Sequence, residues 1–241
     1  MGCNNASSRQ VDLPKTLTIH GNIMDNQTRS LMACCNLSGQ TFILNTIDTL
    51  KGDNRQVRYL NINPTGHIPM IEEGPYKVMG GNHLVYVYLC KSKSNIASKM
   101  MPTEFEQKVK GIIGWNIAKM MTPCQQLFRI LYEPSVFATA PTKDQFTKWQ
   151  KDFEQCLKVI DMRLVDGPYL CGSWMTVGDV IVFNDISMYM ELCGLTPKSP
   201  EISQFANLTK WFTVKMLSQK GIQDLDKEFK DTLKKAKKTT P

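Results

Sequence analysis

Histidine is scarce. His20, His67 and His83 are the only three in 241 residues, and none has a partner at a metal-ligand spacing. A zinc or non-haem iron centre is not expected, because such sites need several imidazole, thiolate or carboxylate ligands brought to one point. No apolar run reaches the roughly 18 residues of a bilayer-spanning helix, and the first twenty residues lack the apolar stretch of a secretory signal. The chain is therefore expected to be cytoplasmic. Its eight cysteines form no CxxC pair and sit mostly among apolar neighbours, which reads as reduced thiols. Cys34 and Cys35 read as core thiols, since no resolving cysteine stands two residues away. An excess of acid is also missing. The formal charge is +7, but Lys227, Lys230, Lys234, Lys235, Lys237 and Lys238 against Glu228 and Asp231 place +4 of it in one terminal segment. The body of the chain is near neutral, and no nucleic-acid partner is expected.

What is present suffices for a large core. Hydrophobic residues make up 42% and charged residues 21%, enough apolar surface to offset the entropy of ordering a chain of this length. Residues 1–15 are polar and small, end near Pro14, and read as a flexible leader. Within it, Gly2 followed by Cys3 resembles an N-myristoylation signal with an adjacent palmitoylation site, although Ala6 stands where Ser or Thr is usual. One myristoyl chain holds a membrane only marginally. A second acyl chain on Cys3, or the lysine-rich tail, would make attachment to a cytoplasmic membrane face stable. The competing reading is a leader in which Gly2 has no such role.

From Thr16 a regular pattern begins. Leu17–His20 reads as a strand, Asn26–Leu37 as a helix, Thr41–Thr46 as a second strand and Arg55–Leu60 as a short helix. Then comes the sharpest local signal, Asn63-Pro64-Thr65-Gly66-His67-Ile68-Pro69. A strand follows it, Gly74-Pro75 turns the chain, Tyr76–Met79 returns, and Asn82 opens a helix through Leu89. The order is βαβαββα over 16–90. After a linker at 91–102, the strand signals vanish. Residues 103–241 read as all helical, with a long pattern interrupted at Pro123, a helix over 144–165, and others near 177–192, 203–219 and 222–237.

The central NPxGxIP segment and a helical half bearing Thr176-Val177-Gly178-Asp179 together resemble the cytosolic glutathione transferases, closest to the theta-like branch. That resemblance implies an α/β thioredoxin-like N-terminal domain with a mixed sheet, joined to an all-α C-terminal domain. It implies a cis bond before Pro69, which lets the Ile68 main chain bind the cysteinyl part of glutathione like an added strand. It also implies a capping box at Thr176 and Asp179, and a homodimer. Glutathione would be a substrate, joined to a small apolar electrophile, with no metal.

The reactive position departs from the family. Counting back four residues from Arg29, the activating serine falls on Asp25, and an ionised carboxylate accepts but cannot donate to the sulfur. A negative charge there also raises the thiol pKa. Asn26 is the nearest alternative donor. The strand-one position that carries Tyr in other branches is His20. At the γ-glutamyl end the acidic or amide residue and the serine are replaced by Gly81 and Asn82, so the partner of the ammonium is missing. His67 matches a position near the peptide's glycine end. Two readings stay open: a transferase with weak catalysis, and a non-catalytic adaptor or dimerisation module held at a membrane. The fourteen methionines fit either an adaptable substrate pocket or plain core filling.

Overall fold

The structure, a computed structural model, describes residues 16–79, 84–132 and 142–239. Gly2, Cys3, Gly81, Asn82 and His83 lie outside the described residues. The N-terminal half holds β1 (Leu17–Gly21), α1 (Asn26–Ser38), β2 (Ile43–Thr46), α2 (Val57–Leu60), β3 (Met70–Glu73), β4 (Tyr76–Val78) and α3 (Leu84–Ser92). The sheet order is β2-β1-β3-β4, with β1 parallel to β2 and antiparallel to β3. Leu17 and Ile19 of β1 are fully buried. His20 is buried as well, and both ring nitrogens are used: Asn45 on β2 lies 2.9 Å from Nδ1 and Glu72 on β3 lies 3.0 Å from Nε2. It pins three strands together.

The stretch 91–102 carries α4 (Ser94–Met100), whose Ile96 and Met100 are buried against the N-terminal half. In the C-terminal half, α5 (Glu106–Trp115) runs through a π-helical turn at Asn116–Met121 into α6 (Thr122–Tyr132). The wider turn lies just before Pro123, which has no N–H to give and crowds the preceding turn. After α7 (Lys143–Arg163) comes α8 (Val177–Cys193), a helix buried almost all round. The helix read over 203–219 is found as α10 (Ala206–Lys210) continuing as a π-helical turn to Met216, and a short α9 (Pro200–Ser203) precedes it. The basic helix α11 (Lys220–Thr239) buries Ile222, Leu225, Phe229 and Leu233.

Helix α1 packs most extensively on α8, so the two halves share one apolar core. A buried polar network fixes their register. The Arg29 guanidinium donates to the Ile23 carbonyl at 2.8 Å and to Asn184 on α8, and lies 3.7 Å over the Phe229 ring of α11. Burial lowers its pKa to about 10, with Asp25 and Asp226 opposing the shift. Nearby, the Asp185 carboxylate accepts from the Asn26 and Asn116 amides. Burial pushes the Asp185 pKa up to about 7 in spite of those bonds.

Two predictions follow from these contacts. Asp179, fully buried, accepts from Thr176 N and Oγ1, Leu170 N and Trp211 Nε1 at 2.9 to 3.1 Å. Asp179→Ala strands all of these donors and should lower unfolding free energy by about 4 kcal/mol. Urea denaturation measures this, and a loss below about 1 kcal/mol would refute it. The second concerns pH. Asp185 holds a proton in the folded state up to about pH 7, whereas its ordinary carboxyl value is 3.8. The folded chain binds the extra proton between those values, so this group's stabilisation is whole below about pH 4 and is lost as pH rises towards 7, by up to about 4 kcal/mol. Asp185→Asn should flatten that decline in urea midpoints between pH 5 and 8; parallel profiles would exclude it.

Candidate functional site

The NPxGxIP loop is built from its own side chains. Asn63, fully buried, donates to the His67 carbonyl at 2.7 Å and accepts from Thr65 N and Oγ1 at 3.2 and 2.7 Å. Tyr59 from α2 donates to the same His67 carbonyl at 2.8 Å. Gly66 has φ +66°, a left-handed conformation that an L side chain rarely takes, and its carbonyl accepts from Asn54. These bonds hold the loop so that the chain passes Ile68 and Pro69, joined by a cis peptide bond, and enters β3 at Met70.

Opposite the loop stands the start of α1. Asp25 is its N-cap: one carboxylate oxygen accepts from Thr28 N at 2.6 Å and from Thr28 Oγ1 at 2.7 Å. Gly21 is required beside this cap, because a Cβ there would fall 2.4 Å from Thr28 Oγ1. The Asn26 side chain, expected as the alternative donor to a sulfur, is turned inward instead. Its amide nitrogen donates to Asp185 and its oxygen accepts from Gln27 N at 3.0 Å. Burial of Asp185 on α8 draws it there.

Between loop and helix start, and closed on the far side by α6 and Met188, lies a cleft of about 790 Å³. It brings together Asp25, Asn26, His67 and Ile68, residues more than forty positions apart in the chain. Pro69 is buried and does not line it. The rim adds cations that the sequence reading did not assign, Lys51 and Arg55 near the loop and Arg129 on α6. Arg129 escaped notice because its only signal is helical spacing with Gln125, Phe128 and Tyr132. Among the methionines, Met24 and Met188 line the cleft, whereas Met100, Met120 and Met216 fill the core. The buried thiols Cys34, Cys35 and Cys90 all have pKa values raised by burial, which removes thiolate reactivity from them. No group of three metal-ligating side chains occurs among the described residues.

No family model matches the chain. Among curated proteins it is similar to glutathione S-transferase 2 of Anopheles gambiae, 19% identical over 180 residues, which span 75% of this chain and 80% of that protein. It is 20% identical over 174 residues to glutathione S-transferase theta-3 of Mus musculus, covering 70% and 71% of the two chains. An epsilon-class glutathione S-transferase from the housefly, Musca domestica, superposes with TM-score 0.75 at 13% identity, over 92% of this chain and 98% of that one. A glutathione transferase from Phanerochaete chrysosporium, solved in complex with oxidized glutathione, gives TM-score 0.75 at 18% identity, over 90% and 97%. The chain thus shares the glutathione transferase fold with these structures, and the curated proteins named here to which it is similar are glutathione S-transferases.

Proposed function

We infer that the protein binds glutathione in the cleft between its halves and conjugates it, slowly, to an electrophile with an apolar body. The observation that carries this reading is the gathering of Asp25, Asn26, His67 and Ile68 on one cleft. Glutathione brings two carboxylates and one ammonium. Lys51 and Arg55 supply positive potential at the rim. The Ile68 main chain offers its amide and carbonyl to the cysteinyl unit, with Pro69 setting the bend. His67 faces the glycine end, and Gly81 and Asn82, outside the described residues, fall to the γ-glutamyl end. In the reaction the thiol proton passes to solvent, the thiolate sulfur forms a bond to the electrophilic carbon, and the leaving group departs with the bonding pair.

The first N–H groups of α1 lack intrahelical acceptors and favour a thiolate at that end. Asp25 works against them. Its charge raises the thiol pKa, so less thiolate exists at neutral pH. A homodimer belongs to the same reading. The engagement of Asp25 by Thr28 favours a second reading, in which this position is only a helix cap and the chain is a non-catalytic adaptor. The remaining part of the proposal is location: a cytoplasmic protein held to a membrane face by acyl groups on Gly2 and Cys3, with the basic helix α11 assisting. No helix among the described residues is long and apolar enough to cross a membrane.

Glutathione-agarose retention and turnover of 1-chloro-2,4-dinitrobenzene separate the readings, because absence of retention leaves only the adaptor. Asp25→Ser keeps a good N-cap while removing the charge. It should raise conjugation about tenfold near pH 6.5 and move the rate profile to lower pH; an unchanged rate would show that position 25 does not face the sulfur. Acylation has its own readout. A clickable myristate analogue should label the protein in cells and be lost in Gly2→Ala, and an unlabelled parent protein would end the membrane reading.

A further inference from the structure

The α6 wall of the cleft is not the uniform apolar surface that a neutral electrophile would require. Gln125, Phe128, Arg129 and Tyr132 follow one another at helical three- and four-residue spacing and all reach the cleft. The Phe128 and Tyr132 rings stack on each other with centroids 5.1 Å apart and an interplanar angle of 19°, forming an offset aromatic pair. Arg129, next to Phe128 on α6, is exposed and lines the cleft, and no carboxylate pairs with it among the described residues. The Tyr132 hydroxyl is buried and has no hydrogen-bond partner among the described residues. Burial and Glu191 raise its pKa to about 12, which keeps it a donor at neutral pH. Among the described residues the charged side chains lining the cleft are Lys51, Arg55 and Arg129 against Asp25. Lys51 and Arg55 belong to the N-terminal half, on the side of His67. Arg129 stands on the opposite wall, where the second substrate must lie.

The geometry points to Arg129 and Tyr132 as specificity determinants for an aromatic electrophile that carries a carboxylate or similar anionic group. Its ring stacks on the outer face of the Phe128–Tyr132 pair, its anion pairs with the planar guanidinium, and the tyrosine hydroxyl supplies a second donor. The inference rests on the conjugation reading for the word electrophile; the anionic aromatic subsite itself is a binding property and is measured without turnover.

The test uses the full chain and two matched probes, 3,5-dinitrobenzoate and neutral 1,3-dinitrobenzene, titrated by tryptophan fluorescence, with glutathione titrated separately. The benzoate should bind more tightly. Arg129→Gln should weaken it by about tenfold to a hundredfold while changing the neutral probe less than about twofold. Arg129→Lys should restore part of the loss, and Tyr132→Phe should weaken the benzoate by a smaller factor. Equal affinity of the two probes, or equal loss of both in Arg129→Gln, overturns the subsite. Glutathione binding with no preference for the benzoate removes this inference and leaves the conjugation reading standing. Benzoate binding that depends on Arg129, without glutathione binding, does the reverse. Where glutathione does bind, 4-chloro-3,5-dinitrobenzoate should be conjugated with higher kcat/KM than 1-chloro-2,4-dinitrobenzene, and that preference should vanish in Arg129→Gln.

Discussion

A guanidinium sealed away from water governs the way the two halves meet. Arg29 leaves α1 and ends among the Ile23 carbonyl, Asn184 and the face of Phe229, with no exposure to solvent. A buried cation is tolerated only where acceptors and a π face surround it. Those acceptors come from three elements, so their relative positions are set by one side chain. Asp185 reinforces the constraint from α8 by holding the amides of Asn26 and Asn116. The first turn of α1, which forms one edge of the cleft, is thereby fastened to the core of the helical half.

That fastening has a chemical consequence. Asn26 has the right residue type and place to donate into the cleft, yet its amide is committed to Asp185 because an unsatisfied carboxylate in that interior would be more costly. Asp25 is likewise committed, to Thr28, as the cap of the same helix. Both side chains at the start of α1 are thus committed to partners within the protein. The positive side chains of the cleft among the described residues stand elsewhere, at Lys51 and Arg55 between β2 and α2 and at Arg129 on α6.

Much of the architecture is legible along the chain because it is local. Alternation around Leu17 and Ile19, the Gly74-Pro75 turn and the three-and-four spacing of apolar residues after Lys143 each reflect a period of backbone geometry. The loop at 63–69 is legible for the same reason: Asn63 satisfies its own turn. The break between α9 and α10 was missed, since a continuous apolar spacing hides a short non-helical step before Ala206. His20 was met as a position where related proteins carry a reactive group. Its bonds to Asn45 and Glu72 come from strands 25 and 52 residues away, which no local pattern announces.

By itself the sequence determined the order of elements, the capped helix starts and the departure at Asp25, because these depend on residue identity and near neighbours. Tertiary structure alone decided that Asn26 turns inward, that Arg129 and Tyr132 face the same space as His67 and Ile68, and that most of the methionines are core. The physical reason is that burial and convergence belong to no single segment. They arise only when α1, α6 and α8 close on one another and each polar group must find its partner within reach.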